Sequence, residues 1–343
     1  MISNVDLSKL YDIKDSEWLW EEPTPLASYK NMDEDELWEA RREEVRNLES
    51  FQAFEWRRRS EMKENPDAKY ISSRWEDIRK DSGLIRSRWV LREFANTQSE
   101  GEFFSATPDP TSIEVVHMYA LMHDHDIWYI DLKRAFLHAP EFDIVWSEPP
   151  EGWNVDPDWV WQLKRKLNGR RDGSQSFSEW FGVQLQQLGM KRSVLHPCTY
   201  VVSCGGGEVA TVSAHVDDGV LTGPSPFLKA LQSKLEQSVM CVVNGKLAAD
   251  QPVDNDNWCT FLGKVRRRVG NRLESKVKEK FVLKAAEVLD LMEANPVQSP
   301  TTAEIYHKES KEALDTTRHS HLRKVVGILQ YAAPECKLAQ FAL

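Results

Sequence analysis

The chain has 343 residues, 41% of them hydrophobic and 29% charged, with a formal net charge of −10. That suits a globular protein of one large domain or two to three subdomains. It excludes a membrane-spanning helix, because no apolar run is long enough to cross a bilayer. The N-terminal stretch lacks the basic start and apolar core of a signal peptide, and the five cysteines are odd in number and widely spaced, with no Cys-x-x-Cys. They read as reduced thiols in an intracellular protein, not as a disulfide frame or a zinc site.

Residues 1–32 are acidic and irregular, with Pro23 and Pro25, and read as an arm. Residues 1–50 carry 14 Asp/Glu against 6 Lys/Arg, so most of the excess acid lies at this end. Basic residues cluster further on, at Arg57–Arg59, Arg86/Arg88/Arg92, Lys164–Lys166, Arg170–Arg171 and Arg266–Arg268. Local basic patches decide contact with a phosphate backbone more than net charge does.

Asp33 to Phe51 has helical spacing at Leu37, Ala40, Glu44, Val45 and Leu48, with Arg41, Arg42, Glu43, Glu44 and Arg46 as its wet face. Phe51 to Phe94 reads as strands. Within it, Ala68–Trp75 and Ile85–Arg92 flank the turn-rich Arg79–Gly83. A helix is expected from Ser112 to His125. His123-Asp-His-Asp126 reads as its polar end before a strand rather than as a metal site. Val160–Leu167 reads as a strand, Glu179–Leu188 and Phe227–Val239 as helices, and Gly205–Gly207 as a β-turn. Lys276–Met292 reads as a long helix.

Two stretches carry the chemistry. In Ala214-His-Val-Asp-Asp-Gly-Val-Leu-Thr-Gly223, apolar residues flank two adjacent acids, which predicts strand, tight turn, strand with Asp217 and Asp218 at the turn. In Trp128-Tyr-Ile-Asp-Leu-Lys-Arg-Ala-Phe136, a β-prone run also ends in an acid, Asp131. Two such strands side by side would bring the carboxylates together. Carboxylates so placed can hold two divalent cations and drive in-line phosphoryl transfer.

These pieces resemble, in order, the reverse transcriptase of Ty1/copia-type LTR retrotransposons. Asp131-Leu-Lys-Arg-Ala-Phe-Leu-His138 resembles the family's Asp-Val-Lys-Thr-Ala-Phe-Leu-Asn, and His215-Val-Asp-Asp218 resembles its Tyr-Val-Asp-Asp. Ile85 to Phe94 is similar to its Tyr-Lys-Ala-Arg-Leu-Val-Ala-Lys-Gly-Phe, with Arg86 at the Lys, Arg88 at the Arg and Glu93 at the Gly. Phe261-Leu-Gly and His321–Tyr331 match two later blocks. The departures are His215 for Tyr, His196 for Asp, and the segment Asn168–Phe177. Of the family's template-gripping pattern, that segment keeps Gly169, the basic Arg171 and an aromatic at Phe177.

The resemblance implies an α+β right-hand polymerase, with residues 33–270 as fingers and palm (an antiparallel sheet plus helices) and 271–343 as a helical thumb and truncated connection. It implies RNA- and DNA-templated DNA synthesis from dNTPs on a DNA primer. Asp131, Asp217 and Asp218 would hold two Mg2+ ions, Mn2+ being an alternative. Arg86 and Arg88 would meet the triphosphate, Arg171 would help to shape the nucleotide pocket, and Phe136 would be the steric gate against ribose. The chain would be an isolated polymerase portion without RNase H, protease or integrase, working in the cytoplasm or nucleus with no membrane partner. A second reading stays open: a degenerate, non-catalytic nucleic-acid-binding relic of such an element. The oligomeric state is not specified.

Overall fold

The protein is described here by a computed structural model. It covers residues 32–80, 82–93, 105–153, 155–277, 279–295 and 315–332. The N-terminal arm, Phe94 and the proline-containing 297–301 segment lie outside the described residues. Helix α1 (Glu34–Ser50) leads through β1 (Phe54–Arg58), the short α2 (Arg59–Glu64) and β2 (Lys69–Tyr70) to the hairpin β3 (Ser73–Arg79) and β4 (Ile85–Leu91). Then come α3 (Pro110–Met122), β5 (Asp126–Leu132), α4 (Ala135–His138), β6 (Val145–Ser147), β7 (Trp159–Leu163) and α5 (Gly173–Gln187). Next are β8 (Lys191–Arg192), β9 (Thr199–Gly205), β10 (Glu208–His215), β11 (Asp218–Gly223), α6 (Ser225–Leu235) and β12 (Cys241–Leu247). The chain continues through β13 (Cys259–Phe261), β14 (Lys264–Val269), β15 (Arg272–Val277), α7 (Glu279–Val288) and α8 (Thr316–Ala332). The class is α+β, as the resemblance implied.

A six-stranded sheet, ordered β12-β5-β11-β10-β9-β8, is the centre of the molecule. Each of its paired neighbours is antiparallel. Its faces follow the alternation of side chains along β5. Trp128, Ile130 and Leu132 point to a core shared with Phe177, Phe181 and Leu185 of α5 and with Leu228, Leu231 and Leu235 of α6. Ile127 and Tyr129 point the other way, to Ile113 and Ala120 of α3 and to Cys259 and Phe261 of β13. Because both faces are covered, β5 reads as a nearly continuous apolar run.

The β3–β4 hairpin packs on α1, and Trp75 and Trp89 join Val45, Leu48, Trp161 and Leu163 in a second core. Asp33 caps α1 by accepting from the Glu36 amide at 3.0 Å. Two residues of the expected wet face, Arg41 and Glu44, are instead buried. Arg41 Nη2 lies 2.7 Å from Asp77 of β3, and Glu44 accepts from Arg134 at 3.1 Å. Buried charges persist when they are paired in this way, and both partners are remote in sequence. Gly169 supports the same region. Its φ is +88°, and a Cβ built on it would lie 2.0 Å from the Leu91 carbonyl oxygen.

Several expected elements shift, among them Ser112–His125, which is Pro110–Met122, and Phe51–Phe94, read as strands, which also holds the short helix Arg59–Glu64. The helix expected from Glu179 starts at Gly173. Lys276 and Val277 end strand β15, so the helix foreseen from 276 begins at Glu279 and stops at Val288. The pairing of β15 with β14, Lys276 opposite Val265 and Val277 opposite Lys264, draws those residues into a sheet. The acid pair also divides: Asp217 is in the turn, and Asp218 is the first residue of β11.

Candidate active site

β5 and β11 are neighbours, and their register sets Asp131 directly opposite Asp218. Cβ atoms of directly opposed residues lie about 4.5–5.5 Å apart. The two acids are in step with Tyr129 and Val220, so they share the face of the sheet that packs on α3. His215 and Asp218 close the β10–β11 hairpin around a two-residue turn of Val216 and Asp217. Val216 takes a left-handed φ of 52°, which is uncommon for a β-branched residue and strained. The turn is tied down by the Leu132 amide, which donates to the Asp217 carbonyl at 2.6 Å. Backbone pairing thus brings all three acids to one end of the sheet.

Their charges act on one another. Burial pushes the Asp218 carboxyl above the ordinary range, and the neighbouring Asp217 and Asp131 push it further, while His215 and Lys133 pull it back. Lys133 Nζ lies 2.5 Å from Asp131 Oδ2. Two groups of His, Cys, Asp or Glu among the described residues bring ligand atoms within 4.8 Å of one another, and neither contains these acids. The acids share an end of the sheet without closing into one tight ligand cluster.

Asp217 at this end acts electrostatically on Arg88 of β4. Burial lowers its pKa, as does Arg86, while Glu44, Asp217 and Glu76 work the other way. Arg86 is exposed on the same strand. Beyond Asp131 the chain turns at Arg134, with φ 56°, into the single turn α4 that carries Phe136. Phe136 is half-buried against the α5–α6 core. Its Cδ1 lies 3.8 Å from the position a Cβ on Gly173 would take. Arg171, just before α5, donates its amide to Glu93 Oε2 at 2.8 Å.

The segment that departs most from the family pattern is held by charge. Arg170 places Nη1 2.9 Å from Glu93, Nε 2.9 Å from Glu141 and Nη2 3.1 Å from Asp143. Lys166 Nζ reaches Glu141 at 2.6 Å and Asp172 at 2.5 Å. Glu93, standing at the family's Gly, is therefore a partner of Arg170. The Glu141, Asp143 and Asp172 oxygens form one of the two ligand-like groups, but these cations already neutralise them. No local sequence signal announces this network, since its members are spread from 93 to 172.

Comparison with known proteins accords with the geometry. A family described as Reverse transcriptase (RNA-dependent DNA polymerase) matches residues 60–244, more than half of the chain. The "Retrovirus-related Pol polyprotein from transposon TNT 1-94" of Nicotiana tabacum is 26% identical over 270 residues. That alignment takes in 74% of this chain and 19% of the relative, so the chain spans about a fifth of that polyprotein. The resemblance to Ty1/copia-type elements read from the motifs holds, and the chain belongs to the reverse transcriptase (RNA-dependent DNA polymerase) family.

Proposed function

We propose that this chain is the polymerase portion of a copia-type element and extends a DNA primer on an RNA or DNA template from dNTPs. In this reading residues 33–270 form fingers and palm, and 271–343 contribute a thumb. The observation that carries it is the convergence of Asp131, Asp217 and Asp218 at one end of the central sheet, with Asp131 and Asp218 in direct register. Like charges so opposed repel; burial first, and then the neighbouring Asp217 and Asp131, raise the Asp218 carboxyl. Cations would relieve the repulsion, and an all-carboxylate donor set fits hard ions such as Mg2+ or Mn2+. When bound, two such ions would lower the pKa of the primer 3′-hydroxyl and neutralise charge on the triphosphate and the leaving pyrophosphate.

The chain's own residues do the rest. Asp131 and Asp217 hold the ions and Asp218 supports them. Arg88, on which the charge of Asp217 acts, and the exposed Arg86 grip phosphate oxygens. Arg171 helps to shape the nucleotide pocket, and Phe136 lies beside the sugar.

A second reading, a non-catalytic nucleic-acid-binding relic, is favoured by the Lys133 ammonium on Asp131 and by the internal pairing of Arg170 and Lys166. Cations already committed to internal carboxylates cannot also grip a template. Primer extension on poly(rA)/oligo(dT) with Mg2+ decides between the two. Extension that is abolished in Asp217→Asn establishes the polymerase. No extension, with salt-sensitive retention of the duplex on a filter, establishes the relic.

A further inference from the structure

We propose that His125, Cys204 and Glu208 form a zinc-binding clip at the end of the central sheet opposite the three acids. The sequence alone assigns the His123–Asp126 stretch to a polar helix end and the cysteines to free thiols. The fold makes more of both. His123 caps α3, Asp124 turns the chain with a φ of 49°, and His125 immediately precedes β5. Cys204 is near the end of β9 and Glu208 opens β10. Gly205, Gly206 and Gly207, all at positive φ, fold the hairpin between them. One ligand atom from each of His125, Cys204 and Glu208 lies within 4.8 Å of the other two.

The His125 ring is the anchor. Its side chain is 2% exposed, and Nε2 lies 3.2 Å from Glu208 Oε2. Its Nδ1 is buried and has no hydrogen-bond partner among the described residues. The backbone of His125 is fixed as well, since its carbonyl accepts from Arg268 Nη1 at 2.6 Å. His123 stands at the rim, with Nδ1 3.9 Å from the other Glu208 oxygen. Tyr119 stacks on His123 with ring centroids 4.2 Å apart, and its hydroxyl accepts from the Val209 amide at 3.1 Å.

Imidazole, thiolate and a carboxylate together select zinc over magnesium. Tetrahedral zinc–ligand bonds of about 2.0–2.3 Å put ligand atoms about 3.3–3.8 Å apart. Side-chain rotation of Cys204 and Glu208, both only partly buried, closes that difference. As the zinc–sulfur bond forms, the Cys204 thiol proton leaves to solvent. His123 or a water takes the fourth position. Six extended residues separate His125 from Asp131, about 20 Å, so the clip is structural. It joins the α3–β5 corner to the β9–β10 hairpin.

The test is metal binding by the intact chain, and it needs no polymerase activity. Zn2+ is expected to bind at about one equivalent and to raise the melting temperature reversibly with chelator. Co2+ in its place is expected to show thiolate-to-metal charge-transfer absorption. His125→Ala would open a buried site, so Cys204→Ser and Glu208→Gln carry the test, with far-ultraviolet circular dichroism as the fold control. Cys204→Ser should abolish the charge-transfer band, and each variant should weaken Zn2+ binding by about tenfold or more. An Asp131→Asn/Asp217→Asn double variant should keep both signals. The proposal is overturned if no zinc binds, if the band survives Cys204→Ser, or if Glu208→Gln binds zinc as tightly as wild type. It is also overturned if the double aspartate variant is the one that loses zinc.

Discussion

Lys133 Nζ lies 2.5 Å from Asp131 Oδ2, two residues away along the chain and at the end of the sheet where the acids meet. The ammonium offsets part of the charge that Asp131, Asp217 and Asp218 accumulate, and it competes for the oxygen that a cation would use. Lys133→Met should therefore tighten Mn2+ binding by roughly three- to tenfold, a modest gain because solvent screens a side chain that is 49% exposed. Thermal stability should change little, by less than about 1 kcal/mol. Electron paramagnetic resonance of free Mn2+ reads the first effect. Unchanged affinity would remove Asp131 from the metal site.

The buried network around Arg170 should matter for stability. Burial works against its charge, but Glu141, Asp172, Glu93 and Asp143 together raise its pKa. Arg170→Met would leave Glu141 and Glu93, which are almost fully buried, without this partner. A loss of about 3–5 kcal/mol is expected, as for other broken buried pairs. Urea unfolding measures it, and a loss under about 1 kcal/mol would mean that water screens the network.

Acid should weaken the packing of α3 on β14. The His117 ring at 3.6 Å and the Arg266 guanidinium at 2.6 Å hold the Glu114 carboxyl down to about 2, against burial. A depressed folded-state pKa stabilises the fold above the unfolded value of 4.5, and that stability is lost as pH falls from there towards 2. Burial depresses His117 too, which adds to the loss below its ordinary 6.5. Glu114 is 47% exposed, so solvent screening limits its share to about 1 kcal/mol. Glu114→Gln should be less stable than wild type by that amount at pH 6, and the gap should shrink by pH 3. A gap that stays constant with pH would refute the assignment.

The parts of the fold governed by local pattern were legible in the sequence. The β-prone apolar run Ile127–Ile130, the helical spacing in α1 and the glycines of the β9–β10 turn each put their element in place. The strand–turn–strand reading placed Asp217 and Asp218 at the hairpin, and the β-prone run ending in Asp131, together with the resemblance, named their companion. Long-range pairing was not legible. Arg41 and Glu44 look like solvent-facing charges until Asp77 and Arg134 arrive from 36 and 90 residues away. Asp218, not Asp217, is the acid in register with Asp131, because the turn takes Val216 and Asp217 out of the ladder. Lys133 follows Asp131 by two residues, yet nothing in the sequence tells which oxygen its ammonium meets.

Nucleic-acid binding should be independent of sequence and sensitive to salt, since Lys and Arg patches release counterions from phosphate. Arg86 is exposed beside Arg88, so Arg86→Ala should weaken primer–template binding and make the slope of log affinity against log salt shallower by up to about one. Deleting residues 1–32 should not weaken binding, because that stretch is mainly acidic. Filter binding from low to high salt tests both, and affinity that ignores salt would contradict them.

Sugar choice is the sharpest test of the polymerase reading. Phe136 lies five residues after Asp131 and is partly buried against the α5–α6 core. In the proposed site its ring lies against the 2′ carbon of the incoming nucleotide. A ribose would drive its 2′-hydroxyl into that ring, where the hydroxyl also finds no hydrogen-bond partner. The same residue could serve the core alone, since it packs near Gly173 at the start of α5. Phe136→Val separates the two roles. A gate variant keeps its melting temperature and admits ribonucleotides more readily, by about tenfold or more if the clash is worth a little over 1 kcal/mol. A core variant loses about 1–2 kcal/mol of stability, the share expected for a half-buried ring, with the rNTP to dNTP ratio unchanged. Incorporation of both nucleotide types is measured alongside thermal melting. A stable variant with unaltered selection refutes both roles. A wild type that extends no primer, yet retains the duplex on a filter in a salt-sensitive way, establishes the relic instead.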